Sequence, residues 1–145
     1  MSLFTALSVS ASGLAAQRTR AELLAENLAN AETTRTPAGG PYRRKDAIFA
    51  AEPVASAFAE TFQAELNGTL TGVRVIEIVE DPREPEKRYL PGHPDADAEG
   101  YVAFPRINPA EDMVDLLGAV RGYQANLAAI SAIKDMIHRS IELLR

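Results

Sequence analysis

Residues 116–133 read LLGAVRGYQANLAAISAI, and Arg121 is the only charged residue among them. The stretch is rich in good helix formers, and no proline follows Pro109, so it predicts a long helix. Asn108 suits the N-cap of this helix, Pro109 its first position and Glu111 its third position. Because a helix that is apolar or small on nearly every side is unstable in water, protein or lipid must cover it.

Two heptad rows run along this helix and predict a coiled-coil seam. One row holds Leu116, Tyr123, Ile130, Ile137 and Leu144, and the other holds Met113, Val120, Leu127, Lys134 and Ile141. A stripe of small residues, at steps of four and three, lies on another side: Gly118, Gly122, Ala125, Ala129 and Ala132. We expect the heptad rows to close the protomer and the small stripe to meet neighbouring helices.

The other end of the chain predicts a second long helix, over residues 3 to about 31. The first seventeen residues of the chain carry no charged side chain, and apolar residues recur along the helix at heptad spacing. The main row holds Leu7, Leu14, Ala21 and Leu28, with Leu3 and Leu24 on the adjoining row. Asn and Thr in residues 30–36 compete for backbone hydrogen bonds, and the sequence PAGGP at residues 37–41 then forces a turn.

Between the helices, residues 37–107 predict a small β-rich domain, which makes the fold class α+β. Residues 73–79 are the clearest strand because they are dense in β-branched side chains. Residues 42–49, 87–90 and 101–104 complete a small antiparallel sheet, while the alanine-rich residues 53–67 fit either a short helix or an ordered loop. The predicted domains are therefore residues 1–36, 37–107 and 108–145.

Composition and motifs exclude several function classes. A net charge of −5 argues against nucleic-acid binding, and the absence of Cys excludes thiolate chemistry and disulfides. No stretch approaches the roughly 20 apolar residues of a membrane span, and no basic residue precedes the apolar N-terminus as in a cleaved signal peptide.

Residues 95–100, DADAEG, resemble the start of a calcium loop, but Arg106 stands where the bidentate Glu is needed. His93 and His138 lie in separate elements. We therefore expect no metal, no cofactor and no enzyme activity. The basic run at residues 43–45 favours local ion pairs rather than a phosphate site.

Several separated segments resemble the axial rod and hook proteins of the bacterial flagellum. At the N-terminus these are ALSVSASGL at residues 6–14, ENLAN at residues 26–30 and TTRT at residues 33–36. Four further segments narrow the resemblance to the proximal rod. They are YRRK at residues 42–45, YLPGHPDAD at residues 89–97, EGYV at residues 99–102 and RGYQAN at residues 121–126. Arg106, Gly122 and Gln124 depart from the expected pattern, and residues 52–72 match poorly.

The resemblance implies a structural subunit of the periplasmic proximal rod, which transmits torque from the inner-membrane ring to the distal rod and hook. It further implies pairing of the terminal helices, export through the flagellar type III apparatus without a cleaved signal, and contacts with other rod proteins, with copies of itself and with the ring–rod adaptor. A soluble coiled-coil adaptor or export chaperone is the alternative.

The sequence also indicates which residues form the assembly interface. In the first helix they are Leu7, Leu14, Leu24, Asn27, Leu28 and Asn30; in the last helix they are Leu116, Gly118, Val120, Gly122, Tyr123, Ala125, Asn126, Leu127, Ala129, Ile130 and Ile137. Since isolated helices gain little stability without packing, we expect both end helices to become ordered only when they dock on neighbouring subunits. We expect the middle domain to be stable without them.

Overall fold

The computed structural model describes residues 3–53 and 71–143. Helix α1 spans Leu3–Ala29, strands β1 and β2 span Lys45–Pro53 and Thr71–Glu80, strands β3 and β4 span Glu86–Tyr89 and Tyr101–Phe104, and helix α2 spans Pro109–Glu142. Two long terminal helices around a small strand region confirm the α+β prediction. The ambiguous residues 53–67 lie, apart from Pro53, outside the described residues.

The ends of the helices follow from local hydrogen bonds. Asn108 caps α2, because its side-chain oxygen accepts a hydrogen bond from the Ala110 amide at 3.2 Å, and Pro109 occupies the first turn. At the end of α1, the Asn30 side chain donates to the Glu26 carbonyl at 2.9 Å. These contacts confirm the predicted start of α2 and the predicted end of α1 to within two residues.

The two helices pack against each other in antiparallel orientation. Gly13 of α1 lies against Asn126 of α2, Gln17 lies against Gly122, and Arg20 pairs with Asp115 at 3.4 Å. Along α2, residues that are at least half-buried recur at alternating steps of four and three: Asp112, Leu116, Ala119, Tyr123, Asn126, Ile130, Ile133 and Ile137. The seam therefore has heptad spacing, as a coiled coil requires.

Only one of the two predicted heptad rows lies in this seam. The row through Leu116, Tyr123, Ile130 and Ile137 is half-buried, which confirms these four positions, while Leu144 lies outside the described residues. The row through Met113, Val120, Leu127, Lys134 and Ile141 is exposed, so its predicted place in the seam is wrong. The row one residue earlier, with Asp112, Ala119, Asn126 and Ile133, replaces it, because small Ala119 and the glycines let the helices approach closely.

The strands form two separate two-stranded ribbons instead of the single predicted sheet. In the long ribbon, β1 pairs antiparallel with β2 from Lys45↔Glu80 to Pro53↔Thr71, with a register shift between Ile48 and Phe49. In the short ribbon, β3 pairs antiparallel with β4 from Glu86↔Phe104 to Tyr89↔Tyr101. Prolines at positions 82 and 85 separate the ribbons, because proline cannot donate to a continuing ladder.

Most of the buried residues lie in the helices and at their junction with the ribbons. Among the described residues, the buried apolar side chains are Ala16, Leu23, Leu24, Tyr42, Val102, Ala119 and Ile133. Helix α1 also packs against both strands of the long ribbon. The ribbons themselves are largely exposed, and the stability of the middle domain without the helices stays a prediction.

Candidate assembly surface

Two glycine–amide contacts set the distance and register of the helix pair. A Cβ on Gly122 would lie 3.1 Å from the Gln17 side-chain carbon Cδ, and a Cβ on Gly13 would lie 3.0 Å from the Asn126 oxygen Oδ1. Each helix thus presents one glycine and one amide side chain, four residues apart. The Asn126 amide is held in place because it donates to the Gly122 carbonyl at 2.9 Å. This contact turns the neighbouring apolar row of α2 away from α1.

The outward side of α2 is largely apolar, although Arg121 and Gln124 are also exposed there. Its exposed fractions are 53% at Met113, 55% at Leu117, 39% at Val120 and 51% at Leu127. Gly118 and Ala125 are exposed beside this row, and no atom lies within 4 Å of a Cβ built on Gly118. We call these six residues the outer face. Apolar surface of this extent on one helix is typical of a protein interaction site.

The predicted interface residues fall into three groups. Leu24 and Asn27 are buried inside the protomer. A second group is half-buried, largely along the helix pair: Leu7, Leu14, Leu28, Asn30, Leu116, Gly122, Tyr123, Asn126, Ala129, Ile130 and Ile137. Only Gly118, Val120, Ala125 and Leu127 are exposed and available to a neighbour. The small stripe is therefore divided, because Gly122 and Ala129 face the protomer interior.

Asn27 joins α1 to the long ribbon. Its side chain is 0% exposed, and it donates to the Lys45 carbonyl and accepts from the Lys45 amide, both at 2.9 Å. The Tyr42 hydroxyl donates to the same Asn27 oxygen at 3.0 Å, and burial raises the pKa of Tyr42 to about 12. All the polar atoms of this buried amide are therefore used in orienting the ribbon on the helix.

Arg44 joins the ribbon to α2. Its guanidinium pairs with the carboxylate of Asp112, whose residue is 0% exposed, and with Asp46 at 3.1 Å. Burial raises the pKa of the Asp112 carboxyl, although Arg44 acts in the opposite direction. Lys45 pairs with Glu26 at 2.6 Å, so Arg44 and Lys45 of the basic run form local ion pairs, as predicted. Arg43 instead donates to the backbone carbonyl of Asp81.

Sequence reasoning missed two contributors to this arrangement. Leu117 belongs to the outer face, and the steps of four and three through Met113, Leu117 and Val120 could have revealed it. Asp112 anchors the ribbon, and its position in the first turn of a helix, where carboxylates are favoured, was the available signal. Neither described helix contains an apolar stretch that meets the length and charge requirements of a membrane span.

Comparison with known proteins finds family matches in both end regions of the chain. Residues 7–35 match the family "Flagella basal body rod protein", and residues 98–143 match "Flagellar basal body rod FlgEFG protein C-terminal". The flagellar basal-body rod protein FlgC of Borreliella burgdorferi is 39% identical and covers 100% of this chain and 99% of its own length. The proteins of the same name from Bacillus subtilis and Salmonella typhimurium are 38% and 34% identical, each over 99% of this chain.

Paired terminal helices, an exposed apolar helix face and these matches define an axial structural protein of the bacterial flagellum. More narrowly, the chain belongs to the FlgC family of flagellar basal-body rod proteins. It is accordingly a structural subunit of the basal-body rod and is located there.

Proposed function

We propose that the chain assembles into the proximal rod through the outer face of α2 and transmits torque from the inner-membrane ring to the distal rod and hook. The observation that carries this proposal is the exposed row of Met113, Leu117, Val120 and Leu127. The last three of these lie in residues 116–133, where Arg121 is the only charged residue. Burying a fully exposed side chain of this kind contributes roughly 1.5–3 kcal/mol. Because these four are already about half-buried, docking gains about half of that range from each, and several together favour docking. The role is structural, without catalysis.

The partners that fit this surface are apolar helices of other rod subunits, including further copies of this chain. The ring–rod adaptor and the flagellar type III export apparatus complete the proposed set of partners. Gly118 and Ala125 support a helix as the occupant, because small residues allow close approach of a second backbone. A soluble adaptor or chaperone would also need an exposed apolar face, but the full-length FlgC relatives favour the rod.

Charge substitutions on the outer face test the proposal. Val120→Glu and Ala125→Glu should each abolish incorporation into basal bodies and swimming, because a carboxylate would be buried against a neighbour without a partner. His138→Glu is the matched control, since it adds a carboxylate at an exposed position in the more charged last turns of α2. The measurement is the amount of each variant in purified basal bodies, alongside circular dichroism of the purified chain.

Normal incorporation of Val120→Glu and Ala125→Glu would show that the outer face is not the assembly surface. Loss of incorporation by His138→Glu as well would show that the effect is not specific to this face. Circular dichroism separates either result from misfolding.

A further inference from the structure

Four arginine side chains surround a single carboxylate beside the short ribbon. Arg43, Arg44, Arg83 and Arg106 line one shallow depression. Among the described residues, Asp81 is the only acidic one that lines it. Arg83 Nε donates to both oxygens of Asp81 at 2.9 Å, and Arg43 donates to the Asp81 backbone carbonyl at 3.0 Å. The charge of Arg44 is balanced by Asp46 and Asp112. The other three arginines then face the single carboxylate of Asp81, so positive charge is in excess in the depression.

Two of these arginines have no ionic partner of their own. Within residues 3–53 and 71–143, neither Arg43 nor Arg106 has a carboxylate within 4 Å, and both are exposed. The pKa of Asp81 falls to about 2, mainly through its hydrogen bonds from Arg83 and also through Arg106. We call Arg43, Arg83 and Arg106 the arginine patch. In a chain with net charge −5, such a patch attracts an anionic partner, and guanidinium groups match carboxylates in shape.

The short ribbon carries the opposite charge at its other end. The arginine patch adjoins the Glu86↔Phe104 pair, where β3 begins and β4 ends. The Tyr89↔Tyr101 pair, where β3 ends and β4 begins, lies at the opposite end of the ribbon. Residues 95–100, which we call the acidic turn, lie in the connection between the strands at that end. Four-residue strands rise about 3.3 Å per residue, so the two charged regions lie roughly 13 Å apart along the ribbon.

Within the acidic turn, two carboxylates remain available to a partner. Asp97 Oδ1 accepts from the backbone amides of Glu99 and Tyr101 at 3.0 and 2.8 Å, which fixes the turn. Asp95 bonds to Thr34 at 2.8 Å and lies 3.8 Å from Arg35. Asp97 and Glu99 are exposed, and the described residues place no basic side chain within 4 Å of either.

We propose that the arginine patch binds the acidic turn of a second copy of this chain, so that short ribbons of neighbouring subunits contact end to end. Both halves of the contact are present in one chain, at opposite ends of one ribbon. Such head-to-tail pairing of two different surfaces is the way in which subunits form rings or helical filaments. The proposal rests on assembly of copies in the rod, but it uses a surface distinct from the outer face.

Cysteine cross-linking tests this contact directly, because the chain has no Cys of its own. In a Glu99→Cys/Arg106→Cys double variant, oxidation of isolated basal bodies should link neighbouring chains into dimers and longer ladders on non-reducing gels. The two cysteines of one chain lie too far apart to pair, since a disulfide needs Cβ atoms about 4 Å apart. The matched controls are the two single variants, which should stay monomeric.

Absence of any cross-link, in basal bodies that contain the double variant, would overturn the proposed contact while leaving assembly through the outer face intact.

Charge reversal gives a second readout. Arg106→Glu and Glu99→Arg should each lower swimming several-fold, and the combined reversal should restore it. If the combined variant stays impaired and Arg106→Glu instead loses binding to phosphatidylglycerol vesicles, the patch binds lipid and the proposal is wrong.

Discussion

At the residue scale, single polar side chains attach the ribbons to the helices. Asn27 connects α1 to the start of β1, and Arg44 connects the segment before β1 to α2 through buried Asp112. A buried amide or ion pair is costly unless its partners are present, so these contacts favour one orientation over alternatives. Asn27 belongs to the sequence block ENLAN, and its burial gives a physical reason for an asparagine there.

Replacing Asn27 should destabilise the chain more than removing its tyrosine partner. Asn27→Ala leaves the Lys45 amide and carbonyl and the Tyr42 hydroxyl without partners, so we expect a loss of about 3 kcal/mol in the free energy of unfolding. Tyr42→Phe removes one hydrogen bond and should cost about 1 kcal/mol. Urea denaturation of the purified variants measures both values, and equal losses would contradict the central role of Asn27.

Asp81 should make the stability of the chain sensitive to acid. Its carboxyl has a pKa of about 2 in the folded chain, below the ordinary value of 3.8, because Arg83 donates hydrogen bonds to the ionised form. The ionised carboxylate therefore stabilises the fold above about pH 4, and this contribution is lost as the pH falls towards 2. Asp81→Asn should lower the melting temperature at pH 6 but leave it nearly unchanged at pH 2. The same decrease at both pH values would show that ionisation of Asp81 is not the cause.

At the scale of the element, the register of α2 decides which surface remains free. The heptad spacing correctly predicted a seam along α2. Because the prediction ranked rows by hydrophobicity, it placed Met113, Val120 and Leu127 in the seam, whereas the structure has Asp112, Ala119 and Asn126 there. Within the latter row, Asn126 lies against Gly13 of α1 and Asp112 pairs with Arg44, so polar contacts as well as apolar ones hold this row inside. In the assembly that we propose, the exposed apolar row contacts neighbouring subunits. Periodicity alone does not distinguish such a row from one that packs inside the protomer.

A glycine-to-alanine series tests this helix packing. Gly118→Ala meets open space, so helix propensity should raise the free energy of unfolding by up to about 1 kcal/mol. Gly122→Ala should gain less, because Gln17 must move by a few tenths of an ångström. Gly13→Ala should destabilise, since the Asn126 amide that it meets is already hydrogen-bonded to Gly122. Thermal unfolding ranks the three variants, and a destabilised Gly118→Ala would contradict the exposed position of Gly118.

At the scale of the whole molecule, the sequence predicted the order of the elements better than the location of the core. Residues 101–104 form a strand as predicted, and residues 73–79 lie within the longer strand Thr71–Glu80. Strand pairing into two ribbons depends on long-range contacts that a local pattern does not contain. The position of the core in the helix pair and its junction likewise depends on which of several apolar rows meets a partner.

Amide hydrogen exchange of the purified, unassembled chain measures where its stability lies. The burial pattern predicts slowest exchange in residues 13–27 and 112–130, with faster exchange in both ribbons and in the exposed last turns of α2. The sequence alone instead predicted fast exchange in both helices and protection over residues 73–104. Observation of that second pattern would show that the helix pair orders only on docking.

The reciprocal contacts of Gly13 with Asn126 and of Gln17 with Gly122 also have a mechanical consequence. Twisting a rod built from helices pushes adjacent helices past each other along their axes. In this pair each helix inserts an amide beside a glycine of the other, so sliding in either direction drives a side chain against a helix backbone. In the torque transmission that we propose, these contacts should transfer shear from one helix to the other and resist sliding of the pair.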